Sequence, residues 1–287
     1  MTESVGDTPN PRLVLVPTPI GNLGDITLRA VDVLRDADHI VAEDTRRTRK
    51  LLSHLGLNAR RLHRLDANAT EADLDRVVEW MGCGEVVALV TDAGTPSVSD
   101  PGSALVRRAC GAGHGVTSLP GPSAVTVAVA ASGLVDGPFF FAGFPPRQEG
   151  ELVALVEDLA KRREPCVLFE SPNRLSRTLR LLADAMPRRE VVIARELTKL
   201  HEELVRGTLE ELVASEREWI GEITLVLGAW SIGDEGAPTD EQIDVRIDEE
   251  LAAGTHTRTV ANKIAAWSGR GRREMYARVV ERRDARR

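Results

Sequence analysis

Lysine is scarce in this chain: Lys50, Lys161, Lys199 and Lys263 are the only ones among 37 basic residues, so arginine is the default cation and a single arginine signals little. Cysteine is scarce too. Cys83, Cys110 and Cys166 are odd in number, far apart and never spaced as CxxC, which excludes a disulfide frame and a cysteine zinc site and leaves reduced core thiols as the expectation. The six histidines show no HExxH or other ligand spacing, so no metal is expected. No apolar run approaches the roughly 20 residues that a membrane span needs; the longest candidate, 124–135, is interrupted by Thr126, Ser132 and Gly133. The opening MTESVGDTPNPR has neither a basic start nor an apolar core, so it does not read as an export signal, and a cytoplasmic protein is expected. Neither a Walker loop nor GxGxxG occurs, which removes most support from an NTPase or a dinucleotide-dependent dehydrogenase.

What is present is a chain of 287 residues, 42% hydrophobic and 28% charged, long enough for two apolar cores. Short β-branched runs alternate with amphipathic stretches: LVLVP from Leu13, HIVAE from His39, VVALVT from Val86 and VTSLP from Val116, the pattern of βαβ units around a largely parallel sheet. A second series follows in FFFAGF from Phe139, CVLFES from Cys166, VVIARE from Val191 and ITLVLGA from Ile223. The expected organisation is a disordered N-terminus over 1–11, an α/β domain over 12–122, a second over 123–232, a polar linker over 233–242, and a helical tail over 243–287. In that tail a helix is expected over 244–253, then two helices about a glycine turn at Ser268 to Gly271. Net charge is −7, yet residues 258–287 hold ten Lys or Arg against three acids, so that end alone counts +7. Such a tail reads as a helix-turn-helix-like RNA-binding appendage or as a solvated helical cap.

Three turns rich in glycine and proline each follow an expected strand, and the carboxyl ends of strands are where open α/β sheets bind ligands. They are VPTPIGNLGDITLRA, ALVTDAGTPSVSDPG and SLPGPSAV. Small residues allow close backbone approach and prolines fix the turns in advance, which suits a small ligand with amino, carboxylate and ribose groups better than one with phosphates. AEDTRRTRKLL sets Glu43, Asp44, Arg46 and Arg47 at a strand end as a polar lip or an ordinary helix start. FESPNRL and ARELTKLHEE repeat that pattern, so Glu170, Asn173, Arg174, Arg195, Glu196, Thr198 and Lys199 could line a facing wall.

VPTPIGNLGDITLRA, AEDTR, TDAGTPSVSDPG, LPGPSA, GFPPR, FESPNRL and ARELTK occur here in the order seen in the tetrapyrrole methylase superfamily, in its branch that methylates small-subunit ribosomal RNA. The chain resembles that branch from about Leu13 to Ala229. The resemblance implies two α/β domains of the class III S-adenosylmethionine methyltransferase type with a small C-terminal helical appendage, the cofactor in the cleft between the domains, and a homodimer. It also implies transfer of a methyl group to the ribose 2′-hydroxyl of a cytidine in the decoding region of 16S rRNA in the small ribosomal subunit. Carried over residue by residue, the cofactor falls to Pro19, Gly21, Asp92, Gly94, Thr95, Ser97, Ser123, Ala124, Leu197 and Thr224. A ribose hydroxyl needs a proton acceptor, and Glu43 and Asp44, then Glu196 with Lys199, are the catalytic candidates. Arg46, Arg47, Asp66, Asn68, Asn173, Arg174 and Arg195 are expected to meet the substrate, with Arg258, Lys263, Arg272 and Arg273 of the tail on RNA phosphates. Where relatives often show Asp-His-Asn, this chain has Asp66-Ala67-Asn68, so no role falls on a histidine there. The competing expectations are a porphyrinogen or corrin methylase of the same fold and a non-catalytic RNA-binding assembly factor.

Overall fold

The computed structural model describes residues 12–58, 61–230, 240–253, 255–268 and 270–285. The expected disordered N-terminus and most of the expected linker lie outside them. Five strands, β1 (Leu13–Val16), β2 (His39–Ala42), β3 (Leu62–Arg64), β4 (Val87–Val90) and β5 (Val116–Ser118), form one parallel sheet in the order β3-β2-β4-β1-β5. Helices α1 (Leu28–Asp36), α2 (Thr45–His54), α3 (Glu71–Gly82) and α4 (Ser103–Gly111) connect them. The unbroken apolar runs are explained by burial on both faces. Leu13, Leu15, Val87 and Leu89 pack with Leu74, Val77 and Leu105 on one side, while Val14, Val16, Ala88 and Val90 pack with Leu34 and Leu52 on the other.

The second sheet is mixed rather than parallel. Its strands are β6 (Phe140–Gly143), β7 (Cys166–Glu170), β8 (Glu190–Arg195), β9 (Glu203–Thr208) and β10 (Ile223–Leu227), in the order β6-β7-β10-β8-β9. Only β6 and β7 run parallel; the short connection 196–202 turns the chain straight back, making β8 and β9 an antiparallel pair. On one face lie α6 (Glu149–Lys161), α7 (Pro172–Ala185) and α8 (Leu209–Ala214), which bury Leu152, Leu159, Leu175, Leu179 and Leu212. On the other lies α5 (Ala124–Ser132), whose Val125 and Ala128 pack with Val167, Val192 and Val226. Ile20, from the turn after β1, joins that same cluster and so couples the two sheets.

Three C-terminal helices, α9 (Asp240–Ala252), α10 (Thr257–Ser268) and α11 (Arg272–Ala285), close on their own core of Ile243, Ile247, Val260, Ile264, Met275 and Val279. Helix α9 starts earlier than the expected residue 244, taking in residues assigned to the linker. Asp240 and Glu241 occupy its first turn, where acids suit the positive end of the helix dipole.

Candidate active site

The turns beyond β1 and β4, neighbouring strands, are locked as a pair. The Thr18 amide donates to the Gly94 carbonyl and the Gly94 amide to the Thr18 carbonyl, both at 2.9 Å, while the Thr18 hydroxyl donates to the Thr91 carbonyl at 3.1 Å. Gly94 sits at φ +81°, a left-handed conformation that favours glycine. The Thr95 hydroxyl donates to the Pro122 carbonyl at 3.1 Å, which ties in the third turn just before α5. The first turn also reaches the second sheet: the Asn22 amide donates to Thr198 Oγ1 at 3.1 Å, and a Cβ on Gly21 would stand 2.8 Å from the Leu197 carbonyl. Only a residue without a side chain allows that approach.

These turns enclose a cavity of about 440 Å³ between the sheets. From the first domain it is lined by Ile20, Glu43, Arg47, Asp92, Gly94, Thr95 and the segment Val98 to Asp100. Ser123 and Ala124 contribute the start of α5, and the far wall holds Phe144, Phe169, Glu170, Ala194, Leu197, Glu222 and Thr224. The lining thus mixes apolar surface with hydroxyls and acids, and its size is that of a small-ligand site.

Of the ten residues expected at a cofactor, Asp92, Gly94, Thr95, Ser123, Ala124, Leu197 and Thr224 line the cavity. Pro19, Gly21 and Ser97 do not. Gly21 packs closely against Leu197, and Ser97, at φ +70°, turns a buried Oγ without a hydrogen-bond partner toward Gly102. Of the four catalytic candidates, only Glu43 faces the cavity. Asp44 caps α2: it accepts the Arg46 amide at 2.8 Å and pairs with the Arg46 guanidinium at 2.8 Å, which holds its carboxyl far below the usual range. Glu196 and Lys199 form a clip outside the cavity. Glu196 accepts from Lys199 Nζ and from the Glu222 amide, each at 2.8 Å, and the lysine contact chiefly lowers its proton affinity.

Arg47 alone of the expected substrate residues lines the cavity, 3.3 Å from Asp92. Arg46 is spent on Asp44, Asp66 pairs with Arg64 and accepts the Asn68 amide at 2.9 Å, and Arg195 pairs with Glu203 at 3.1 Å. Arg174 donates to the carbonyls of Pro145 and Pro146, fastening the turn after β6, while Asn173 is exposed.

Three carboxylates crowd the first domain's side of the cavity. Loss of water and then the charge of Asp92 push Glu43 up, opposed by the Asp92 amide and Arg47. Asp100 is pushed up to about 7, first by burial and then by Glu43 and Asp92. Among the described residues nothing donates to its carboxylate. Sequence reading marked Asp100 only as part of a turn of small residues. Its placement depends on Ser97 and Ser99, both at positive φ, which no local pattern announces. Glu170, 2% exposed, was named for the wall, and there it accepts Thr178 Oγ1 at 2.7 Å and the Ser171 amide at 2.8 Å.

The tail corrects the expectation of a free +7 end. Lys263 pairs with Glu250 at 2.8 Å, Arg270 with Asp240 at 2.8 Å, and Arg278 and Arg282 with Asp244 at 2.7 and 3.0 Å. Over 240–287 eleven Lys or Arg stand against nine acids, so this stretch of the sequence is only weakly basic. Arg258, Arg272 and Arg273 are exposed, and among the described residues no ion pair engages them. No described helix is long and apolar enough to cross a membrane, and among the described residues no cluster of His, Cys, Asp or Glu could hold a metal.

Residues 12–213 match the model of the Tetrapyrrole (Corrin/Porphyrin) Methylases. Among similar proteins, the Ribosomal RNA small subunit methyltransferase I of Bacillus subtilis is 42% identical over 83% of this chain and 78% of its own. That of Mesorhizobium japonicum is 40% identical over 96% of this chain and 93% of its own. Among solved structures, a diphthine synthase superposes with TM-score 0.59 at 19% identity, covering 75% of this chain and 89% of its own. The uroporphyrin-III-C-methyltransferase of Thermus thermophilus does so with TM-score 0.54 at 21% identity, covering 76% and 94%. At these identities the solved structures bear on the fold alone.

Proposed function

The chain belongs to the tetrapyrrole methylase family, and on that premise we propose that it methylates the ribose 2′-hydroxyl of a cytidine in 16S rRNA of the small ribosomal subunit, as a homodimer using S-adenosylmethionine. Methylation of ribosomal RNA rests on relatives named for it at 40–42% identity along most of the chain. The observation that carries the proposal is the interdomain cavity: small and walled by hydroxyls, acids and apolar side chains.

The cavity fits the cofactor. Ile20, Ala194 and Leu197 give apolar walls for the adenine ring and the methionine carbons, Thr95, Ser123 and Thr224 give hydroxyls, and Asp92 and Glu43 offset a positive sulfonium and amine. Bound there, S-adenosylmethionine supplies a methyl group on a cationic sulfur, already an excellent leaving group. The protein's work is alignment of the acceptor oxygen and removal of its proton. Turns pinned at Thr18–Gly94 and Thr95–Pro122 hold the walls with little reorganisation on binding. The exposed Arg258, Arg272 and Arg273 supply phosphate contacts. Leu200, Ile220 and Leu23 are 93%, 68% and 42% exposed around the Gly21–Leu197 junction and offer apolar surface for a second copy.

The test supplies methyl-labelled S-adenosylmethionine and small subunits lacking the modification, then digests the RNA with alkali. Ribose methylation removes the hydroxyl that attacks the neighbouring phosphate, so label in an alkali-resistant dinucleotide is the expected result, from a protein that sediments as a dimer. Label released in a mononucleotide would mean base methylation. No incorporation despite cofactor binding would favour a porphyrinogen acceptor.

A further inference from the structure

We propose that Asp100 is the group that takes the hydroxyl proton from the acceptor during methyl transfer, an inference that rests on the reaction proposed above. Elimination among the acids of the cavity leads to it. Asp92 pairs with Arg47 at 3.3 Å and accepts the Asp44 amide at 3.1 Å. Glu170 is saturated by Thr178 and Ser171, with Arg174 at 3.7 Å. Glu222 pairs with Lys199 at 3.1 Å, and Glu43, though pushed up on balance by burial and Asp92, has the Asp92 amide and Arg47 opposing that shift. Asp100 has none of these restraints among the described residues, and only burial and like charge act on it.

Its position suits the role. Ser99 and Asp100 line the cavity at the end of the turn that begins with the cofactor-side residues Asp92 to Thr95. The Ser99 hydroxyl stands where a Cβ on Gly143 of β6 would meet it at 3.1 Å, so this end of the turn abuts the second domain. Asp100 therefore lines the cavity at the seam between the two domains. The charged groups that line the cavity with it are Glu43 and Arg47 from the segment after β2, Asp92 from its own turn, Glu170 from β7 and Glu222 from the turn before β10, and of these Glu43 and Asp92 act on it directly. A carboxylate that holds its proton to near neutrality is a stronger base than an ordinary one. In the step, the ribose oxygen bonds the methyl carbon while the carbon–sulfur bond breaks with its electron pair passing to sulfur. The hydroxyl proton passes to a carboxylate oxygen of Asp100, a neutral thioether leaves, and the proton is released to water.

The test compares the full-length protein with Asp100→Asn and Asp100→Glu, using the same subunits and cofactor. Carboxyl-carbon NMR of the free protein supplies a readout that needs no turnover. We expect one carboxyl resonance that titrates near pH 7 and vanishes in Asp100→Asn. We also expect kcat to fall about 10²- to 10⁴-fold in that variant, with KM for the subunit and cofactor affinity nearly unchanged. The wild-type rate should rise as pH passes through about 7, a rise that Asp100→Asn lacks and Asp100→Glu partly restores. A resonance titrating in the ordinary carboxylate range, or an Asn variant that keeps the wild-type rate and pH profile, would overturn the assignment alone. Wild-type protein that methylates no RNA would remove the reaction and the role together.

Discussion

In the C-terminal helices nearly every acid that faces a neighbouring helix meets a cation: Asp240 meets Arg270 and Arg278, Asp244 meets Arg278 and Arg282, and Glu250 meets Lys263. In the cleft, Arg47 is among the described residues the one cation in the lining, and it offsets Asp92 and Glu43 but not Asp100. Both regions are rich in acids, yet in one the charge organises helix packing and in the other it is concentrated beyond what structure needs. Uncompensated charge in a partly buried cleft opposes folding, and its natural use is chemistry on a ligand that brings positive charge or a proton. The same contrast divides the arginines, since the tail's paired ones brace α9 against α11 while Arg258, Arg272 and Arg273 engage no ion pair among the described residues.

The largest expected effect comes from separating the two regions. Ile264, 1% exposed at the centre of the tail's own core, should cost about 2–5 kcal/mol when cut to alanine. Amide exchange in α9 to α11 should accelerate while S-adenosylmethionine affinity stays at the wild-type level. A weakened cofactor affinity would show that the regions are not independent. The next effect sharpens the division among arginines. Reversing Arg258, Arg272 and Arg273 to glutamate removes up to three phosphate contacts, each worth a slope of roughly 0.7–0.9 in log affinity against log salt. Subunit binding should weaken and lose about two to three units of that slope, and an unchanged slope would place the RNA surface elsewhere.

What the sequence made legible follows the same physics. β1, β2 and β4 are buried on both faces, so their apolar runs stood out. β3 and β9 are edge strands, half buried, with Arg64, Glu203 and Arg206 in their runs, and no apolar run announced them. The ligand-side turns were legible because small residues and prolines cluster there for a reason that acts locally. Which acid faces the cavity was not. Glu43 and Asp44 are adjacent, and only the start of α2 decides that Asp44 caps the helix while Glu43 looks inward. The tail's charge was misjudged because its arginines were counted from residue 258, and their partners on α9 come into view only through tertiary pairing.

The smallest expected effect is also the most direct attack on the comparison, because charge removal should change stability with opposite sign in the two regions. Asp100 holds its proton to about 7, against roughly 3.9 for a free aspartate. Its protonated form is the favoured folded partner, so its stabilising contribution is complete below the ordinary carboxylate range and is lost as pH rises through 7. Asp100→Asn, which cannot ionise, should therefore melt above wild type at pH 8 and level with it near pH 4. Hydrogen bonds from Arg278 and then Arg270 hold Asp240 below the ordinary range, so its contribution is present at neutral pH and is lost as pH falls. Asp240→Asn should loosen the tail at pH 8, read by amide exchange in α9 and α11, with the difference shrinking toward acid. If both substitutions destabilise at pH 8, the cleft's acids are structural and the contrast with the tail fails. If both stabilise, the tail's ion pairs hold nothing together, and its fold rests on the apolar core around Ile264 alone.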